Sequence, residues 1–144
     1  MIYIKTIQAI DTYPIRQAIL RKGKPIETCV FEGDHNLNTL HFGLFKDEEL
    51  VGVLSVFANS IAQFTQTNQF QLRGMAVLEI HQNKGYGKKL IQFIENYLVL
   101  NSETLLWFNA RINAVAFYEK LGYTGTGEVF VIDEIGPHLV MFKA

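Results

Sequence analysis

Residues 82–87 read Gln-Asn-Lys-Gly-Tyr-Gly and run directly into a segment whose apolar residues, at 90, 91, 94, 97 and 98, keep helical spacing. The glycines let the backbone turn tightly and come close to a ligand. Behind them, the first turn of the helix carries N–H groups without intrahelical acceptors, at the positive end of the helix dipole. The combination suits an anion such as a pyrophosphate, and Lys84, Lys88 and Lys89 add positive charge around it. Leu90 stands where the third glycine of a dinucleotide-binding Gly-x-Gly-x-x-Gly would fall, and no Gly-Lys-Ser/Thr follows at the spacing of a phosphate-loop NTPase. Taken alone, the loop is also compatible with a turn of purely structural use.

The elements that must position this loop read as a mixture of strands and helices without repeats or low-complexity linkers. Residues 2–7 alternate like a strand. A helix is expected from Asp11, with Ile15, Ala18 and Ile19 on one face and Pro14 in its first turn. Gly23-Lys24-Pro25 ends it, and a short amphipathic stretch covers Ile26 to Phe31. Leu40–Phe45 and Leu50–Phe57 read as an antiparallel hairpin around the charged turn 46–49. Phe70–Val77 is a strand, the helix follows the glycine loop, and Leu105–Phe108 is the next strand. Asn113–Leu121 is expected as a helix, with Ala114, Phe117, Tyr118 and Leu121 on one face and Gly122 suited to the left-handed position just past its end. Val129–Ile132 and Leu139–Phe142 close the chain as strands. The fold class is therefore α+β, a mostly antiparallel sheet with helices packed on it, interrupted by one parallel, right-handed β–helix–β step.

Composition narrows the function. A chain of 144 residues that is 49% hydrophobic and 19% charged fits one globular domain, here residues 1–144. Its net charge of -1, with no basic cluster, argues against nucleic acid as the main ligand. Cys29 is the single cysteine, so no intramolecular disulfide can form, and the four histidines have no zinc-site spacing; no metal is expected. The first residues lack a signal peptide's apolar stretch and no run is long enough to span a bilayer, so a soluble cytoplasmic chain without a membrane partner is expected.

Residues 113–123, Asn-Ala-Val-Ala-Phe-Tyr-Glu-Lys-Leu-Gly-Tyr, supply a second pattern. Together with the loop they resemble the GNAT superfamily of N-acetyltransferases. That family is similar in a Gln/Arg-x-x-Gly-x-Gly/Ala loop opening a helix and, further along, Asn-x-x-Ala-x-x-Phe-Tyr-x-x-x-Gly-Phe. Gln82 to Gly87 match the loop, and residues 113–123 carry the second pattern, with Tyr123 for its Phe and Asn113 taken as its asparagine. Leu50-Val51-Gly52-Val53 fits as well, and the resemblance covers most of the chain.

The resemblance implies acetyl-CoA as acyl donor and an amine as acceptor. The strand before the loop would splay from its neighbour, with a bulge at Gly74, and its backbone at Met75, Ala76 and Val77 would pair with the pantetheine arm. Amides of Gln82, Asn83, Lys84, Gly85, Tyr86, Gly87 and Lys88 would take the pyrophosphate. Asn113 would hydrogen-bond the cofactor arm and Tyr118 would stand near the thioester sulfur as general acid. The Val77 N–H would stabilise the tetrahedral oxyanion. His81 departs from the aromatic residue that family members often carry there.

A lysine-like acceptor must lose a proton before it attacks, and Glu79 is the leading candidate base, with Glu32 and His41 behind it. For each of the three singly, an ordinary solvated or structural polar residue is the favoured reading. Glu32-Gly33-Asp34-His35 lies where a cationic acceptor would be drawn in by two carboxylates, unless Gly33 and Asp34 simply build a turn. Trp107, His138 and Cys29 read as structural, and Arg73 as either a surface ion-pair member or a contact for a substrate carboxylate. An acetyltransferase and a coenzyme A-binding module without turnover are both compatible with the loop; Tyr118 favours the enzyme, since a sensor needs no proton donor. A homodimer is left open beside the monomer.

Overall fold

Strand and helix alternate along the chain in the computed structural model, which describes all 144 residues. Seven strands form one mixed sheet in the order β1-β2-β3-β4-β5-β7-β6. They are β1 Ile2–Thr6, β2 Leu40–Lys46, β3 Glu49–Ala58, β4 Asn68–Val77, β5 Thr104–Arg111, β6 Thr124–Ile132 and β7 Gly136–Lys143. Three α-helices accompany them: α1 Ala9–Ile19, α2 Tyr86–Leu98 and α3 Val115–Lys120. The expected β–helix–β step is β4–α2–β5, and β4 and β5 pair in parallel from Asn68↔Thr104 to Gln71↔Trp107.

By its contacts the chain divides into two units, residues 1–58 with 72–97 and residues 59–71 with 98–144. In the first, Ile15, Val53 and Ala76 form a core against which Ile7, Ile19, Leu20, Leu50 and Leu78 pack. Leu90, Ile91 and Ile94 of α2 are fully buried there, so the apolar stripe read from the sequence is the buried stripe, except that Tyr97 is exposed. In the second, Leu105, Trp107 and Val140 are covered by Ile61, Phe64, Phe130 and Phe142. Trp107 is core as expected, its indole N–H donating to the Asn59 carbonyl at 2.9 Å.

Three local structures differ from the sequence reading. Helix α1 begins at Ala9, two residues before the expected start, because the Asp11 carboxylate accepts the Gln8 N–H at 2.9 Å and fixes the cap there. Pro14 is therefore inside the helix, and the buried face is Ala9, Thr12, Ile15 and Arg16, while Ala18 is exposed. The 46–49 turn is tighter than expected. Lys46 pairs with Glu49, so only Asp47 and Glu48 form the turn, both at positive φ (48° and 74°) as the twist of a two-residue hairpin demands.

The stretch 113–121 is likewise shorter as a helix than its periodicity suggests. Residues Ile112–Ala114 make a 3-10 turn before α3, and Phe117 is exposed. Its end is as expected: Gly122 is at φ 94°, and the Tyr123 N–H reaches back to the Tyr118 carbonyl at 3.1 Å.

Candidate functional site

The glycine loop is built as an open cradle. Asn83 and Gly85 lie at positive φ (63° and 80°) and wrap the chain into α2. The first intrahelical bond is Lys89 N–H to the Gly85 carbonyl at 3.1 Å, which places the amides of residues 85–88 ahead of the helical ladder. A Cβ added at Gly85 would meet nothing within 4 Å, and one at Gly87 would meet only Met75 Cε, at 3.9 Å. The space beside Gly85 and Gly87 is thus open, and Lys84, Lys88 and Lys89 are exposed around it. A pyrophosphate fits this arrangement on charge, donors and room.

The end of β4 is tied to the loop by a contact the sequence did not signal. The Gln82 side-chain amide donates to the Val77 carbonyl at 2.9 Å, while the Leu78 N–H donates to Val51 of β3 at 2.9 Å. The peptide following Val77 is held from both sides. Met75 and Val77 are half-buried and Ala76 is buried. Beneath the loop, His81 is buried, its ring 6.4 Å from that of Tyr86, and its Nε2 is 3.8 Å from the Glu49 carboxylate. Glu79 lies in the turn between β4 and the loop, 76% exposed, with Lys22 Nζ at 3.7 Å.

Gly74 is the glycine that a close approach requires. It sits at φ 66° within β4, and a Cβ there would lie 3.0 Å from Phe31 Cε2 and 3.2 Å from Arg16 Nε.

In the second unit, Tyr118 on α3 is half-buried, with the Phe108 ring at 4.4 Å and the Phe117 ring at 5.1 Å. Burial pushes its phenol pKa up, against the opposing pull of the Arg111 charge. The hydroxyl therefore keeps its proton at neutral pH, the form a donor needs. Asn113 is exposed in the 3-10 turn. Aligned on Ala114, Phe117, Tyr118 and Gly122, the family pattern puts its asparagine three residues before Ala114, which is Arg111 and not Asn113. Asn113 thus matches in residue type but not in spacing, and Arg111 at the end of β5 occupies the matching position.

The largest departure from the sequence reading lies around residues 32–35. Asp34 is fully buried and belongs to Arg16, whose two terminal nitrogens donate to its two oxygens at 2.7 and 3.1 Å. The Phe31 N–H adds a bond to Asp34 Oδ2 at 2.8 Å. Burial alone would raise the Asp34 carboxyl pKa, but the Arg16 and Phe31 hydrogen bonds and the Arg16 charge hold it below the usual range. Arg16 also donates to the Cys29 carbonyl at 2.7 Å and to Ser55 Oγ at 3.0 Å, and its guanidinium lies 3.9 Å from the Phe31 ring centre.

His41 completes this cluster. Its Nε2 meets the Asp34 carbonyl at 2.8 Å and its Nδ1 meets Ser55 Oγ at 2.6 Å. A carbonyl only accepts, so Nε2 donates to Asp34, and Nδ1 is engaged by Ser55 Oγ whichever of the two donates. His41 thus has no ring nitrogen left for a substrate, and its candidacy as base fails. The expected pair of carboxylates facing a cationic acceptor fails as well, because Asp34 is spent on Arg16; Glu32 stays exposed in the turn. The one signal for this cluster was an arginine on the apolar stripe of α1, at i+4 from Thr12 and i+7 from Ala9.

Comparison with known proteins matches this architecture. The GNAT acetyltransferase family model matches residues 9–123, and the chain belongs to that family. Among its relatives is the uncharacterized N-acetyltransferase YitI of Bacillus subtilis, 38% identical over 143 residues, which cover 99% of this chain and 96% of the relative. Of solved structures, the ribosomal-protein-S18-alanine N-acetyltransferase of Escherichia coli aligns with a TM-score of 0.72 at 20% identity, over 99% of this chain and 92% of that one. An aminoglycoside 6'-N-acetyltransferase complexed with coenzyme A aligns with a TM-score of 0.76 at 14% identity, over 98% and 96%. At such identities these two structures share the fold with this chain.

Proposed function

We propose that the protein transfers an acetyl group from acetyl-CoA to a primary amine of a small molecule, peptide or protein, by direct attack of the amine on the thioester. The observation that carries this reading is the open cradle at residues 82–88, with unladdered amides, empty space above Gly85 and three exposed lysines. Membership of an acetyltransferase family supports it. Residues 1–144 act in this reading as one acetyltransferase domain.

The amides from Gln82 to Lys88 bind the pyrophosphate, and the backbone of Met75, Ala76 and Val77 pairs with the pantetheine arm. Gln82, by holding the Val77 carbonyl, orients this stretch of strand. The Val77 N–H stabilises the tetrahedral oxyanion as the amine adds to the carbonyl carbon. Asn113 and Arg111 contact the cofactor arm. Tyr118 gives its proton to the sulfur as the carbon–sulfur bond breaks, so coenzyme A leaves as a thiol. An acceptor amine with an ordinary lysine pKa costs about 4 to 5 kcal/mol to deprotonate near pH 7, and Glu79 accepts that proton directly or through water. Replacing Glu79 by Gln should then flatten the acidic limb of the pH–rate profile. An unaltered profile would return Glu79 to its ion pair with Lys22.

The deciding experiment measures free thiol release from acetyl-CoA against a panel of amines, alongside the thermal shift that acetyl-CoA produces. Amine-dependent release is the expected result. A thermal shift without release on any amine would make the protein a coenzyme A-binding module, and no shift at all would remove the donor site.

A further inference from the structure

Three guanidinium groups surround one phenyl ring. The centres of Arg16, Arg73 and Arg21 lie 3.9, 4.7 and 5.4 Å from the Phe31 ring centre, and Arg73 lies 5.4 Å from that of Phe57 as well. Acceptors for them are scarce. Asp34 is saturated by Arg16 and the Phe31 N–H, yet Arg16 Nε is still buried without an acceptor. Arg21 donates to its neighbour's carbonyl, that of Leu20, at 3.1 Å. Arg73 is half-buried, its positive charge disfavoured first by burial and next by Arg16, and it has no carboxylate at ion-pair distance. Its stacking on two rings fixes the fork without using its donors.

Its position matters as much as its bareness. Arg73 directly precedes Gly74, which sits at φ 66°, and lies two residues before Met75, the first residue of the stretch assigned to the donor arm. At about 3.3 Å per strand residue, its Cα is within about 7 Å of that stretch.

We propose that Arg73, seconded by Arg21, binds a carboxylate carried by the acceptor, so that the substrate is a carboxylate-bearing amine such as an α-amino acid or a short peptide with a free C-terminus. This rests on the acetyltransferase reading and moves recognition from the acceptor's amine, as expected from residues 32–35, to a carboxylate it carries. A fixed, planar, partly desolvated guanidinium grips a carboxylate with two parallel bonds and orients it. The amine on the same molecule is thereby presented toward β4, with nothing required of the spent Asp34. Glu32, the second carboxylate whose charge Arg73 feels, is exposed and competes only weakly for it.

The test compares matched pairs of amines with and without the carboxylate: phenylalanine and 2-phenylethylamine, lysine and cadaverine, and dipeptides and their C-terminal amides. Binding in the presence of coenzyme A is measured together with thiol release from acetyl-CoA. At least one carboxylate member should be favoured by about 10- to 100-fold in kcat/KM. Arg73→Gln should collapse that ratio mainly through KM, Arg73→Lys should restore part of it, and the acetyl-CoA thermal shift should stay as in the parent. Glu32→Gln should leave the ratio intact or raise it. The inference is overturned if Arg73→Gln leaves the ratios unchanged, if the members lacking the carboxylate are preferred throughout, or if no carboxylate member binds or reacts. With the acetyl-CoA shift intact, those outcomes remove only the acceptor assignment. Loss of that shift in the parent protein removes the enzyme reading itself.

Discussion

Arg16 and Arg73 lie against the same phenyl ring, and the difference between them separates structure from function in this protein. Arg16 is fully buried and its two terminal nitrogens are taken by Asp34, Ser55 and the Cys29 carbonyl, so its charge is compensated where it stands. Arg73 is half-buried, packed on two rings, and open at its donors. The glycine loop resembles Arg73 rather than Arg16, since the space beside Gly85 and Gly87 is open and the amides of residues 85–88 precede the helical ladder. In the proposed reading, polar groups closed by the fold hold the fold, whereas the exposed amides of the loop and the open fork of Arg73 receive a ligand. Cutting the first kind should cost stability, and cutting the second should cost binding or rate with the fold intact.

Tyr118 offers the largest effect and the sharpest case, because its ring is packed while its hydroxyl is assigned to chemistry. Tyr118→Phe keeps the contacts with Phe108 and Phe117 and should lower kcat about 10²- to 10⁴-fold with little change in acetyl-CoA affinity or melting temperature. An unchanged kcat on an acceptor whose chemistry is rate-limiting would leave Tyr118 as packing alone.

Asp34→Ala attacks the closed cluster. It strands the buried Arg16 charge and should cost about 3–5 kcal/mol of unfolding free energy, seen in urea titration. The same pair sets an acid limit. Because the folded Asp34 pKa lies below its unfolded value of about 3.9, its stabilisation is complete above that value and fades as pH falls through the folded pKa. The variant should lose this part of the acid dependence. A variant that keeps parental stability but loses acceptor binding would erase the contrast between the two arginines.

Gly87→Val gives the smallest effect in energy and the cleanest separation. A side chain at 87 enters space that protein does not use, so the fold should persist, while the acetyl-CoA-dependent stabilisation, about 2.7 kcal/mol at a hundredfold excess over Kd, should vanish. Parental coenzyme A binding in this variant would mean that the cradle is not the donor site.

Much of this was legible in the residues themselves. Glycines, lysines and a 3.6-residue apolar period are local properties, so the loop, helix α2 and the left-handed Gly122 could be placed from spacing alone. Strand identity was equally local, with errors confined to the ends. The start of α1 was misplaced because Pro14 suggested a first turn, while the actual cap depends on Asp11 reaching back to Gln8. Asn113 was chosen by residue type, and only counting from Tyr118 brings Arg111 into its place.

What the sequence could not carry was the pairing of its charges. Asp34 and Arg16 are 18 positions apart, and Ser55 and Arg16 are 39 apart; a carboxylate reads the same in sequence whether it is solvated or locked to a guanidinium. The chain alone determined the fold class, the glycine loop that opens α2 and the family, because these rest on short-range spacing and backbone geometry. Only the tertiary structure decided which charges are spent and which remain open, because that depends on burial and on partners brought together from distant parts of the chain.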